Sequence, residues 1–154
     1  TYRITPPTKV DTVVNLPASK SISNRALIIH ALSGGTTQPT NLSQCDDTDA
    51  MVAALSNMPA VIDIGAAGTA MRFLTALLST LEGTHVVTGT ERMKQRPISL
   101  LVDALRTLGA DIEYEQNEGF PPLKITGRQL LGGELEMPGN ISSQYVSALL
   151  MIGG

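Results

Sequence analysis

The apolar and polar positions along the chain alternate between helical and strand-like patterns. Ala26, Leu27, Ile28, Ile29, Ala31 and Leu32 follow a polar start and end at Gly34-Gly35, which predicts a helix over about 21–33. A second helix is predicted over 45–56. Asp46, Asp47 and Asp49 lie in its first turn, where carboxylates complement the helix dipole, and Met51, Val52, Ala54 and Leu55 form its apolar face. A third follows the turn Gly65-Ala66-Ala67-Gly68-Thr69 and carries Met71, Phe73, Leu74, Leu77, Leu78 and Leu81. A fourth opens at Pro97, a residue suited to the first helical position, and stops at Gly109. The last covers 142–152. Between them strands are expected at 1–4, 12–16, 61–64, 84–88, 111–115, 123–126 and 134–137, with a polar β-rich stretch at 36–41 and a charged loop at 91–95.

This order contains a repeat. Ala31-Leu32-Ser33-Gly34-Gly35-Thr36 is echoed by Leu78-Ser79-Thr80-Leu81-Glu82-Gly83-Thr84, and the segment from Ser142 starts a third copy. Each unit reads β-α-β-α-β-β, with two full units at about 14–64 and 65–130 and the beginning of another at 131–154. Extensive apolar helix faces require burial, so an α/β (α+β) fold is expected with helices inward and sheets outward. Helix starts from several units would then converge on one anion-binding face.

Composition narrows the chemistry. A 42% hydrophobic and 16% charged chain of 154 residues is globular rather than disordered. A net charge of −3 argues against a general nucleic-acid binder. Yet six of the eleven cations are Lys20, Arg25, Arg72, Arg92, Lys94 and Arg96, a clustering that suits a small anionic ligand. Cys45 is the single cysteine, which excludes an internal disulfide and fits a reducing, cytoplasmic setting. No apolar stretch is long enough to span a membrane. His30 and His85 stand in no metal-ligand pattern, so no metal and no cofactor are expected.

The richest stretch is Leu16-Pro17-Ala18-Ser19-Lys20-Ser21-Ile22-Ser23-Asn24-Arg25-Ala26-Leu27. It crowds hydroxyls, a lysine and an arginine into the first turn of a helix, where unpaired N–H groups and the dipole favour a phosphate or carboxylate. A serine cap beside two solvated cations is the plainer alternative. Gly65 to Arg72 is either a backbone cradle for an anion or an ordinary strand-to-helix turn; it is neither a Walker loop nor a dinucleotide fingerprint. Arg92, Lys94 and Arg96 can clamp an anion or lie solvated. Ser142-Ser143-Gln144 suits a phosphate or sugar, or is a double serine cap. Asp46-Asp47 reads as a dipole complement, and Cys45 as a small packed or surface residue. No residue pair forms a nucleophile and base.

Together, the stretch from Leu16 to Ala26, Gly68-Thr69-Ala70-Met71-Arg72, Arg92-Met93-Lys94-Gln95-Arg96-Pro97-Ile98 and Ser142-Ser143-Gln144 have the order and spacing of motifs in the 5-enolpyruvylshikimate-3-phosphate synthase family. The chain resembles that family over nearly its whole length. The sister enolpyruvyl transferases acting on UDP-N-acetylglucosamine share the fold but carry Lys-Asn-Ala in the first motif, a poorer match. A non-catalytic anion-binding module is the alternative from another class.

The resemblance implies an enzyme of two domains, each a threefold assembly of the repeat. Residues 1–13 would belong to the second domain and 14–154 to an incomplete first domain. It implies transfer of the enolpyruvyl group of phosphoenolpyruvate to the 5-hydroxyl of shikimate-3-phosphate, through a tetrahedral intermediate and with release of phosphate, in chorismate biosynthesis. By family likeness Ser21, Arg25, Ser142 and Ser143 hold shikimate-3-phosphate, and Gly68 and Arg96 hold phosphoenolpyruvate. Gln144 lies between the two substrates, and Lys20 lies near both and is the catalytic candidate. Three departures stand out: family members are more than twice this length, Ala66 occupies the position of a usual Asn, and Phe73 that of a frequent Pro. The chain alone is therefore expected to be inactive. Its unfinished third unit is expected to expose apolar surface and drive self-association, whereas the full-length protein is expected to be monomeric.

Overall fold

The computed structural model describes residues 2–3 and 5–153. The first helix, α1 (Lys20–Ser33), begins where the Ser19 hydroxyl accepts the Ile22 N–H at 3.4 Å. It ends at Gly34, whose φ of 60° is the left-handed geometry that glycine adopts freely. α2 (Asp46–Asn57) opens with its three carboxylates and lies against α1, with Met51 fully buried between the helices and the rest of the core. The two helices are tied together by the Thr48 hydroxyl, which donates to Asn24 Oδ1 at 2.9 Å in a buried contact.

From residue 61 onward the chain completes one β-α-β-α-β-β unit: β1 (Val61–Asp63), α3 (Gly68–Leu78), β2 (Gly83–Thr88), α4 (Ser99–Thr107), β3 (Asp111–Tyr114) and β4 (Leu123–Gly127). The sheet order is β1-β2-β4-β3, with β1 parallel to β2 and the remaining pairs antiparallel. Ile62, Val87, Leu123, Ile125 and Ile112 share its inner face and are buried. The outer face is polar, with Lys124 and Glu113 paired across neighbouring strands at 3.1 Å. Every residue of α3 except Arg72 is buried. That helix is enclosed by β2 and β4 on one side and by α1, α2 and α5 (Ser143–Ile152) on the other. Helices therefore lie inside and the sheet outside, as the apolar periodicity requires.

Three expected β segments do not form. Residues 12–16, 36–41 and 134–137 have no partner strand beside them among the described residues, and a strand without a ladder leaves its backbone groups to solvent. Val13 and Leu16 are 87% and 83% exposed. Of the strand expected at 1–4, Tyr2 and Arg3 carry no regular structure, while Thr1 and Ile4, like Gly154, lie outside the described residues. β1 joins the sheet of the following unit, so the stretch before it contributes two helices and no sheet of its own among the described residues. Pro97 stands two residues ahead of α4; Ile98 is the cap, held by donating its N–H to the Gly119 carbonyl at 2.9 Å. The charged loop contains a 3₁₀ turn, Met93–Gln95.

Tyr114 offers a stability test. Its ring lies under the Arg106 guanidinium at 5.0 Å, and its hydroxyl is buried without a partner. Burial, with the Asp103 charge second, pushes its pKa up to about 12. The unfolded chain releases this proton near the ordinary value of 10.0, so between those values the folded chain binds the extra proton and stability falls as pH rises. Tyr114→Phe should abolish that alkaline loss. At neutral pH it should stabilise the chain by about 0.5–1 kcal/mol, because an unpaired buried hydroxyl is removed. Urea unfolding at pH 7 and pH 11 measures both effects.

Candidate functional site

Four helix starts and one loop meet around a connected set of side chains. Lys20, the first residue of α1, places its Nζ 3.3 Å from Asp47 Oδ2, and Asp47 is the second residue of α2. The other carboxylate oxygen, Asp47 Oδ1, accepts the Thr69 N–H at the start of α3 (3.2 Å). The Thr69 hydroxyl in turn accepts from Gln144 Nε2 at the start of α5 (3.1 Å). Gln144 Oε1 accepts from Arg72 Nη1 at 3.0 Å, and the same nitrogen donates to the Gly68 carbonyl at 2.9 Å. Arg72 also stacks on the Tyr145 ring at 5.1 Å, and the Tyr145 hydroxyl donates to the Pro97 carbonyl at 2.9 Å. The network thus reaches the loop that carries Arg96.

Arg96 lies directly against Gly68. A Cβ at that position would overlap the guanidinium, so only glycine lets the two approach this closely. Arg96 has no ion pair among the described residues. With Arg92, Ala66, Thr90 and Met93 it lines a cleft of about 390 Å³. Of the three cations in this loop, Lys94 turns back to Glu91 at 2.8 Å, a local i,i+3 pair, while Arg92 and Arg96 line the cleft.

Arg25 projects from α1 beside the same patch. Its Nη1 donates to the Ser21 carbonyl (2.9 Å), its Nη2 donates to the Ser147 hydroxyl of α5 (2.8 Å), and its guanidinium lies 5.3 Å from the centre of the Phe73 ring. Phe73 therefore serves as a platform for Arg25. Ser21, Ser142 and Ser143 are exposed at the starts of α1 and α5, and Ser142 caps α5 by accepting the Gln144 N–H at 3.4 Å. Lys20, Gly68, Arg96 and Gln144 are accordingly brought together, with Ser21, Arg25, Ser142 and Ser143 on the adjoining helix ends. Asp47, Thr69 and Arg72 complete the cluster; Arg72 stood among the clustered cations and Thr69 in the same motif, whereas Asp47 read only as a dipole complement. Cys45 precedes α2, and its contact with Thr48 is the first cause holding the thiol below its ordinary value. A mostly apolar cavity of about 710 Å³ lies elsewhere, among Leu108, Leu130, Leu135, Met137, Leu149 and Ile152.

The fold and this cluster define an α/β protein in which cations and hydroxyls gather at converging helix starts. The sequence model of the family described as EPSP synthase (3-phosphoshikimate 1-carboxyvinyltransferase) matches residues 4–62 and 56–154. The chain belongs to the EPSP synthase family. It is 64% identical over 152 residues to a 3-phosphoshikimate 1-carboxyvinyltransferase of Bacteroides fragilis, covering 99% of this chain and 37% of that protein. It is 46% identical over 172 positions to the protein of the same name from Photobacterium profundum, covering 95% of this chain and 40% of that one. Among solved structures it resembles EPSP synthase from Acinetobacter baumannii, with a TM-score of 0.81 and 28% identity over 91% of this chain and 38% of the other. The chain spans about two fifths of the length of the relatives it matches.

The comparisons differ in the number of positions they use. The Photobacterium comparison uses 172 positions but only 95% of 154 residues, so some 26 positions are filled by that relative alone. The Bacteroides comparison needs no such positions. The two family matches overlap at 56–62, the short junction between α2 and β1. At the equivalent place in the second unit, after α4, stands the hairpin β3–β4.

Proposed function

We propose that the whole protein transfers the enolpyruvyl group of phosphoenolpyruvate to the 5-hydroxyl of shikimate-3-phosphate, releasing phosphate, in the cytoplasm. The observation that carries this reading is the bonded path from Lys20 through Asp47, Thr69 and Gln144 to Arg72, with Arg96 seated on Gly68. It offers two neighbouring anion sites at helix starts, which a reaction between two phosphorylated substrates requires. Ser21, Arg25, Ser142 and Ser143 bind shikimate-3-phosphate, and Gly68 and Arg96 bind phosphoenolpyruvate. Gln144 lies between them, and Lys20 faces both and neutralises charge developing in the tetrahedral intermediate. Residues 14–154 form part of the first of two domains, and 1–13 belong with the second.

Two measurements test the reading. The full-length protein should release phosphate only when both substrates are present; release with a UDP-sugar in place of shikimate-3-phosphate would support the sister transferase instead. Calorimetric titration of shikimate-3-phosphate should give saturable binding weakened at least about tenfold by Arg25→Ala, the worth of one charged hydrogen bond. Turnover by the 154-residue chain alone would contradict the expectation that it lacks part of the machinery. The apolar cavity beside α5 should make that chain self-associate. Sedimentation checks this, a single monomer species at high concentration being the contrary result.

A further inference from the structure

We propose that Asp47 is the positioning residue for Lys20, an assignment that rests on the reading of Lys20 as the ammonium facing both substrates. A lysine side chain is a point charge on a long flexible stem and does not place itself. Here one carboxylate oxygen holds Lys20 Nζ at 3.3 Å while the other accepts the Thr69 N–H at 3.2 Å. The carboxylate cannot turn without giving up one of the two. Lys20 is thereby tied to the backbone at the start of α3, the same start that carries Gly68 beneath Arg96.

The surroundings favour placement over simple stability. Asp46 and Asp49 share the first turn of α2 and make no ion pair among the described residues, so complementing the dipole does not itself require the Asp47 arrangement. The Lys20 side chain is 48% exposed and that of Asp47 19%. An ion pair this open to water adds little to stability. What it does is hold a mobile charge at one point between two helix starts, and fixed charge is what stabilises a transition state.

The test uses the full-length protein. Asp47→Asn keeps an oxygen for the Thr69 N–H and removes the charge. The rate of phosphate release should fall about tenfold or more with both KM values within about threefold. Asp47→Glu, which restores the charge, should recover part of the rate. In a Lys20→Ala background the Asn substitution should change kcat by less than about twofold, because residues acting through one another are not additive. An equal loss in both backgrounds would overturn the proposal. Acetic anhydride labelling of Lys20, read by mass spectrometry, should speed up several-fold in Asp47→Asn. Unchanged labelling would also overturn it, whether or not the unaltered protein turns over these substrates. Absence of phosphate release from the unaltered protein would bear on the proposed function alone.

Discussion

Gly127→Ala is expected to lower the melting temperature of the chain by about 10 °C. Gly127 ends β4, opposite Gly83 of β2, where the sheet meets the chain leaving α3. A Cβ there would overlap the Leu81 carbonyl oxygen and sit 2.6 Å from its carbon, with the Leu78 carbonyl equally close. These are backbone atoms at the end of α3 and in the turn that follows it, and they cannot step aside as a side-chain tip would. Relief requires β4 to move off α3, which uncovers Ile125 and Leu78. Overpacking of this kind costs about 3 kcal/mol or more, a large share of a marginal stability. For a chain of this size that corresponds to about 10 °C. Gly139→Ala, where nothing lies within 4 Å, is the control and should leave melting within about 1–2 °C. Thermal unfolding followed by circular dichroism compares the two.

Gly68→Ala should do the opposite, sparing the fold and removing function. The three atoms nearest its Cβ would all belong to the Arg96 guanidinium, whose Cζ lies at 2.9 Å, and that group ends a flexible exposed side chain. Arg96 can swing away at little cost, so melting should shift by no more than about 2 °C. The displaced guanidinium no longer reaches the proposed phosphoenolpyruvate position. A charged hydrogen bond contributes about 1.5–3 kcal/mol, so kcat/KM for phosphoenolpyruvate in the full-length protein should fall about 10–150-fold. The KM for shikimate-3-phosphate should stay nearly constant. Steady-state kinetics with each substrate varied in turn reads this, and an unchanged phosphoenolpyruvate response would remove Arg96 from the site.

The helices were legible because their signals are local. Ser19 before α1, Gly34 after it and the apolar spacing of Leu27 and Ile28 specify a helix with no knowledge of the rest of the fold. The segment 12–16, Thr-Val-Val-Asn-Leu, has a β-rich composition comparable to Gly83–Thr88, yet of the two only the latter has neighbours to pair with among the described residues. Strand formation is decided by the partner, which composition does not reveal. The same distinction runs through the site. Lys20, Gly68, Arg96 and Gln144 stand out by motif, and the fold brings them together. Lys94 looked no different from Arg92 and Arg96 until the turn aimed it at Glu91. Asp47 looked no different from Asp46 and Asp49, because its role depends on how α3 approaches from 22 residues away. Phe73 read as a departure at a frequent Pro position, and its aromatic face under Arg25 became visible only when α1 was packed against α3.

The short junction between α2 and β1 has a practical consequence. The two family matches in this chain meet between α2 and β1. Met58, Pro59 and Ala60 bridge α2 and β1; Pro59 and Ala60 are exposed, at the end of α2 opposite Asp47. A surface connection tolerates added length at low entropic cost. This three-residue bridge is thus a natural splice point: a reporter peptide or affinity handle inserted there would ride on the back of the protein, leaving the anion-facing side untouched.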